Sequence, residues 1–532
     1  MKENIVKILK KGLNKAKEVN NWPDFEFTEV IIDTPKIEKF GDFTTNLPMI
    51  LASKIGKNPM EIAKQLVAKI GEGDENFEKI EVAAPGYINF YLSEKYLQAV
   101  VEKISNEKNS FGNLNKGKEI KINNEFISAN PTGPLHLGNG RGGFYGDLLT
   151  RVMRKAGYAI VSEYYVNDAG EQVIKLGHSV LKDDEAVYGG EYIEQLNQRF
   201  GEIADIREAG EKAAKVILEE IIKKTVTEKM KVGFDVWISE KSLYDNGLVD
   251  EAIEKLKSDG LTFEKDGALW LKTTQFGDDK DRVLIKSDGQ KTYFASDCGY
   301  LLDKLNRGFD RIVETWGADH HGYIVRFSAA ARALGFKGEL KFIIVQLVKL
   351  VKDGKEVRMS KRAGNVVYID DLIEEIGHDV TRFFFLMYSP DTHMNFDLGL
   401  AKERSQKNPV YYVQYAYARV CSIQRAQAEE GLGSDKKADL SLLIHEKELS
   451  LIKELDKFPR LIEEITESYE VHKLPHFAIK LADKFHSFYG ACKVMDSENV
   501  ELSLARLALV NAFGIVMKET LDLIGVEAPE KM

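Results

Sequence analysis

The sequence predicts an α/β protein of several domains: a central parallel-sheet domain with a helical insertion, a small α/β domain before it, and a helix bundle after it. Three observations carry this reading. At 532 residues the chain is too long for one hydrophobic core. Between residues 119 and 168 a β-like run, a glycine-rich loop, a helical run and a second β-like run follow one another, which is a βαβ unit. From about residue 405 onward the pattern is amphipathic helix throughout.

The elements follow in order. Residues 1–20 alternate Ile, Val and Leu with Lys at helical spacing. FEFTEVIIDTPKI reads as strand-rich, and residues 40–71 as a helix pair split at Gly56–Pro59. IEVAAPGYINFYLS reads as two strands broken at Pro85-Gly86, and residues 106–118 as a linker. KEIKINNEFIS is a strand, GGFYGDLLTRVMRKAGY a helix ended by Gly157, and YAIVSEYYVND a strand. Long charged helices fill 171–265, an insertion and not a continuation of the sheet. Strand-like runs resume at GALWLKTT, RVLIKS and KTYFAS, then a helix near 299–307, the strand RIVETWGADHH, and FIIVQLVKL. Helices dominate from 370.

Composition narrows the function. No run of 18 apolar residues is present, so a membrane span is not expected. The N-terminus lacks an apolar core and a small-residue cleavage site, so it is not read as a secretory signal. Three distant cysteines without a CxxC pair disfavour disulfides and structural zinc, and fit a reducing cytoplasm. A net charge of −10 means that nucleic-acid binding would need local basic patches.

The chemistry concentrates in FISANPTGPLHLGNGRGG (126–143). The dinucleotide pattern Gly-x-Gly-x-x-Gly is absent between Ser128 and Leu135. Pro131 and Pro134 stiffen the chain while Gly133 lets it turn. His136 and Asn139 are three apart where a helix begins, so both project near its N-terminus, where free N–H groups and the dipole attract anions. Gly138 leaves room for a purine, and Gly142-Gly143 for tight helix packing. A nucleoside triphosphate is the natural occupant; a tight turn with a solvent-facing histidine is the plain alternative. Downstream, RMSKRAGN (358–365) carries Arg358, Lys361 and Arg362 around Ser360 and Gly364. Such a basic loop suits charge developing on a leaving pyrophosphate, or is simply a solvated turn.

HLGN (136–139) resembles the HIGH signature, and RMSKR (358–362) the KMSKS signature, of class I aminoacyl-tRNA synthetases. SANPTGPLHLGNGRGG, EYYVNDAGEQ, WGADHHGY, RMSKRAGN and LIGVEAPEKM are similar to arginyl-tRNA synthetases, as are FGDFTTNLP and VAAPGYINFYLS in the first domain and NPVYYVQYAYARVCSI at the start of the bundle. The resemblance covers nearly the whole chain. It implies an N-terminal tRNA-binding domain (1–112), a Rossmann-like catalytic domain (113–400, with an insertion at 171–280 and the KMSKS-loop region at 345–400) and a DALR-type anticodon-binding bundle (401–532). Two departures stand out: Asn139 replaces the last histidine of HIGH and cannot titrate, and Arg358 replaces the first lysine of KMSKS while Lys361 is kept.

The implied activity joins arginine to tRNA(Arg) through arginyl-adenylate, with ATP and its Mg2+ as substrate complex and no protein-bound metal. The implied catalytic residues are His136, Asn139, Arg358 and Lys361. ATP would meet His136, Gly138, Asn139, Gly317, Asp319, His320, Ser360 and Lys361. Arginine would meet Glu125, Ser128, Asn130, Tyr293 and Asp297, the last through the bidentate pairing a guanidinium favours. Asp297 as a helix cap, Tyr293 as core and Glu125 as a structural ion pair are the plain alternatives. His320-His321 lacks a third ligand at metal spacing. Tyr411 and Tyr415 share a helix face and, with Arg419, would contact tRNA, or else pack in the core. A cytoplasmic monomer without membrane contact is expected.

Overall fold

The structure, a computed structural model, describes all residues except 21, 24–29, 36, 71–73, 353, 358–366 and 432–437. By contact the chain forms two compact units, residues 1–111 with 423–457 and 483–516, and residues 112–422 with 458–482 and 517–532.

In the first unit, the strands Phe43–Thr45, Tyr87–Leu92 and Phe77–Ala83 form an antiparallel sheet in that order. The helices Lys2–Asn20, Leu47–Ile55, Pro59–Ile70 and Glu94–Glu107 accompany it. Leu9, Ile62, Leu66 and Phe90 are fully buried, and this apolar core is what the helical spacing of residues 1–20 anticipates. The run FEFTEVIIDTPKI yields, among its described residues, a single bridge between Asp33 and Thr44. The Tyr96 hydroxyl donates to Asp456 at 2.9 Å.

The second unit is built on a five-stranded parallel sheet. Its order is Glu339–Val345, Arg311–Gly317, Lys121–Glu125, Ala159–Val166, Val236–Ser239. Numbered along the chain this is 5-4-1-2-3, the doubly wound order of dinucleotide-type folds. All five strands run parallel, and the order in which the chain adds them reverses between Lys121–Glu125 and Arg311–Gly317. Ligands of such sheets bind beyond the carboxyl ends of the strands flanking that switch.

Three details differ from the sequence reading, and a fourth bears on it. The segment 171–280 is not wholly an insertion, because Val236–Ser239 returns as the fifth strand of the sheet. KTYFAS is not a strand. Thr292 caps a helix, its side chain accepting from the Ala295 N–H, and Tyr293–Asn306 continues from it. The β-favouring Thr, Tyr and Phe misread what is an N-cap followed by a helical stripe. FIIVQLVKL divides at Gln346 into Glu339–Val345 and Val348–Lys352, which belong to different sheets. Finally, Val500–Ile524 has the length and hydropathy of a membrane-crossing helix, although the sequence reading finds no apolar run long enough. Of its most apolar window 61% is buried within the protein, as a core helix requires.

Candidate active site

The chain leaves the strand Lys121–Glu125 through two consecutive left-handed residues, Ile127 (φ 66°) and Ser128 (φ 39°). A β-branched residue there is strained, and such strain persists only where surrounding contacts hold it. Here the Tyr164 hydroxyl both accepts from the Ala129 N–H (3.1 Å) and donates to the Ala129 carbonyl (3.0 Å). The Ser128 Oγ accepts from the Tyr165 N–H at 3.1 Å. Gly133, assigned the turn from sequence, stands in the bend that follows a turn at Pro131 and Thr132, without a left-handed φ; the left-handed residues are Ile127 and Ser128.

The helix Leu137–Lys155 then starts on His136. His136 Nδ1 accepts from the Gly138 and Asn139 N–H groups at 3.1 and 3.3 Å, and Asn139 Oδ1 accepts from the His136 N–H at 3.1 Å. This is a reciprocal capping box. A ring nitrogen that accepts N–H bonds carries no proton, so this hydrogen bonding assigns the neutral tautomer with hydrogen on Nε2. Although the residue is open to solvent at the surface, the protein around the ring desolvates it and lowers its pKa, against the opposing pull of Asp319. The cap uses backbone N–H groups that the sequence reading leaves for phosphate. What remains for an anion is the helix dipole, Nε2–H of His136 and the amide N–H pair of Asn139.

The glycines have a different division of labour from the expected one. A Cβ on Gly138 would lie 3.0 Å from the His136 ring, so this glycine makes room for the cap. Gly140, Gly143 and Gly146 form a ridge at three-residue spacing, against which Ile369, Ile127 and Phe126 press. Gly142, expected to share this role, has only ordinary contacts. The ridge draws residue 369 onto the loop: the Ile369 N–H donates to the Leu135 carbonyl at 2.9 Å, and His136 bridges Tyr368 antiparallel. Arg358, Ser360 and Lys361 lie outside the described residues, but Tyr368 in their flank is joined backbone to backbone with His136.

Across the switch point stands Tyr293–Asn306, which carries Tyr293, Asp297, Tyr300 and Lys304 at helical spacing on one face. Its lower half is a buried charge network. Lys304, wholly inaccessible, donates to Glu125 at 2.7 Å and to Glu314 at 2.6 Å, and Tyr300 donates to Glu125 at 2.7 Å. Glu163 pairs bidentately with Arg307. Burial would neutralise Lys304, but Glu125, Glu314 and Glu163 outweigh it and raise its pKa. Burial and Glu125 together drive the Glu314 pKa well above the carboxylate range, against the opposing pull of Lys304. Glu125 therefore sits in an ion-pair network, the plain alternative weighed for it.

The upper half faces open space. Tyr293 is half exposed, and its hydroxyl accepts from the Glu171 N–H at 2.9 Å. A cavity of about 720 Å3 beside it is also lined by Asp168, Glu240, Tyr244 and Arg326. Glu240 is buried, and that burial pushes its pKa up to about 7, with Asp297 and Asp168 adding to the effect. Burial likewise pushes Asp297 up to about 6, with Glu125 adding to it while the Tyr323 hydroxyl and Arg326 oppose it. Glu240 on the cavity wall and Asp297 on the neighbouring helix are carboxyls whose pKa burial raises, the pattern of a candidate functional site. The sequence reading misses Glu240 altogether. Its signal is its place directly after Val236–Ser239, at the carboxyl end of a parallel strand.

Asn130 is exposed, and its carbonyl accepts from the Thr132 N–H at 2.8 Å. Gly317 ends its strand, and the space a side chain would take there holds the Asp319 carboxylate instead of standing open. His320 and His321 lie in the turn Ala318–Tyr323, not on the strand, with His320 Nε2 3.4 Å from Asp319. Among the described residues no three His, Cys, Asp or Glu side chains gather as a metal group. Tyr411 and Tyr415 stack with centroids 6.2 Å apart and planes 7° apart, and the Arg419 guanidinium lies 4.9 Å from the Tyr415 ring centre.

The sequence matches three family models in succession: the arginyl tRNA synthetase N-terminal domain at residues 3–92, the class I (R) tRNA synthetase catalytic domain at 100–383, and the DALR anticodon binding domain at 413–532. The chain belongs to the arginyl-tRNA synthetase family. The arginine–tRNA ligase of Bacillus subtilis is 45% identical over 99% of this chain and 97% of its own. That of Listeria welshimeri is 42% identical over the full length of both. The Thermus thermophilus arginyl-tRNA synthetase structure shares the fold, with a TM-score of 0.75 at 20% identity over 99% of this chain and all of its own.

Proposed function

We propose that this chain is an arginine–tRNA ligase whose amino-acid pocket is centred on Asp297 and Tyr293, and whose ATP site begins at His136. The observation that carries it is the convergence, at the switch point of a doubly wound sheet, of a neutral donor cap and a set of carboxyls with a tyrosine. Among the described residues there, none forms a nucleophile–base dyad, and the reaction needs none. The arginine carboxylate attacks the ATP α-phosphate, giving arginyl-adenylate and pyrophosphate. The 2′-hydroxyl of the tRNA's terminal adenosine then attacks the mixed anhydride and releases AMP. Both steps depend on positioning and charge stabilisation.

His136 Nε2–H and the Asn139 amide would donate to phosphate oxygens, while Gly138, Gly317, Asp319 and His320 border the nucleotide. Lys361, with Arg358 and Ser360, would meet the departing pyrophosphate, whose Mg2+ arrives with ATP and is coordinated through phosphates and water. Asp297 and Glu240 would pair with the substrate guanidinium. Ser128 and Asn130 would hold its α-ammonium and carboxylate, and Glu125 acts from within its network. Tyr411, Tyr415 and Arg419 form an aromatic–cationic ladder suited to unpaired bases. The active species is a cytoplasmic monomer. The test is tRNA-dependent pyrophosphate exchange with each amino acid in turn. Exchange with arginine alone is expected; exchange with another amino acid, or none with cognate tRNA present, overturns the reading.

A further inference from the structure

One contact at the edge of the pocket belongs to neither the ATP cradle nor the substrate's expected partners. The Tyr323 hydroxyl donates to Asp297 Oδ2. Tyr323 ends the short turn Ala318–Tyr323, which follows the strand Arg311–Gly317 across the switch point from His136. Its ring is held on two sides. Trp316 meets it edge-on at 6.1 Å, and the Arg326 guanidinium lies 4.8 Å from its centre. Arg326 makes no ion pair within 4.0 Å among the described residues, though its charge acts on Asp297, and its buried Nε–H has no hydrogen-bond acceptor. The side chain is thus committed to the Tyr323 face and to the cavity it lines with Tyr293 and Glu240.

We propose that Tyr323 is a positioning residue for arginine recognition: its hydroxyl fixes the rotamer of Asp297 so that the carboxyl can meet a guanidinium edge-on, and Arg326 holds the Tyr323 ring in place. Guanidinium recognition by two parallel N–H···O bonds needs the carboxyl plane fixed, whereas a point-like ammonium does not. One bond to Oδ2 fixes that plane and leaves Oδ1 and the second lone pair of Oδ2 for substrate. The inference rests on the assignment of Asp297 to the arginine pocket.

A merely structural tyrosine and a positioning one differ in pH behaviour. Tyr323 and Arg326 favour the ionised Asp297, whereas burial and Glu125 oppose it. Glu240, Tyr244, Tyr165 and Cys298 are the other titratable groups that feel Asp297. Removing the hydroxyl must therefore move the acid limb of arginine binding to higher pH.

The experiment compares full-length wild type, Tyr323→Phe, Arg326→Met and Asp297→Ala by tRNA-dependent pyrophosphate exchange from pH 5.5 to 8. In Tyr323→Phe, the KM for arginine should rise about tenfold or more, the scale of a lost hydrogen bond to a charged group. Its acid limb should shift upward while the KM for ATP stays fixed. Arg326→Met should shift the limb in the same direction by less. An unchanged KM and limb in Tyr323→Phe, with arginine use abolished in Asp297→Ala, refutes the positioning role alone. Unchanged arginine kinetics in Asp297→Ala removes the pocket assignment and this inference with it. A limb that moves in Tyr323→Phe but not in Arg326→Met refutes the part assigned to Arg326.

Discussion

Lowering the pH should weaken arginine binding steeply while ATP binding barely responds. Burial pushes the pKa of Glu240 up to about 7 and that of Asp297 up to about 6. A guanidinium binds their ionised forms, and neither arginine's guanidinium nor its carboxylate titrates between pH 5.5 and 8. If both carboxyls must ionise, the competent fraction falls roughly a hundredfold from pH 8 to 5.5, most of it from Glu240. The KM for arginine, or its dissociation constant by calorimetry, should rise by that factor. His136 offers a contrast, because desolvation lowers its pKa and so favours the neutral ring. The stability sign is fixed too. Carboxyls raised in the folded state contribute stability fully below their unfolded pKa, near 4, and lose it as pH rises through about 6 to 7. Each shift corresponds to about 3 kcal/mol at most. Arginine offsets that loss, so its thermal stabilisation of the protein should be larger at pH 8 than at 5.5. Glu240→Gln should flatten the upper part of the profile. A KM for arginine that is constant from pH 8 to 5.5 would refute the reasoning.

Other perturbations separate support from chemistry. His136→Asn keeps an N-cap acceptor but not Nε2–H, so its melting temperature should stay near wild type while kcat falls by about two orders of magnitude or more; His136→Ala should in addition lose about 1 kcal/mol in a denaturant titration. Lys304→Met leaves Glu125 without its cation, and unfolding should ease by about 3–5 kcal/mol, measured in urea. Gly146→Ala drives a methyl into the Phe126 ring and should cost about 1–3 kcal/mol by the same titration, with arginine KM little changed.

The legible parts of this molecule are those whose signal is local. The strand, loop and helix around His136 are written in consecutive residues, and the i,i+4 spacing of Tyr293 and Asp297 survives any error about the rest of their segment. The illegible parts depend on what the sheet brings together. Glu240 stands out only once Val236–Ser239 is seen to join the main sheet, and a four-residue strand between helices has too short a period to declare itself. Tyr323 looks like the tail of a histidine motif until the turn at 318–323 swings it onto Asp297. The glycine ridge is legible as composition and illegible as contact, since its partners Ile127 and Ile369 lie on either side of the site.

The replacement of histidine by Asn139 gains meaning from the same geometry. Asn139 accepts the His136 N–H at Oδ1, and an amide that is also to donate to a phosphate at Nδ2 uses both of its halves at once. A neutral imidazole in that place could also accept at one nitrogen and donate from the other, but protonation would turn its acceptor into a donor and oppose the His136 N–H. Asparagine removes that dependence on pH. His136 is held neutral by the two N–H groups its Nδ1 accepts and by desolvation. The two positions of the motif therefore reach the same end by different chemistry: a donor array at a helix N-terminus in which desolvation favours the neutral His136 and Asn139 cannot titrate.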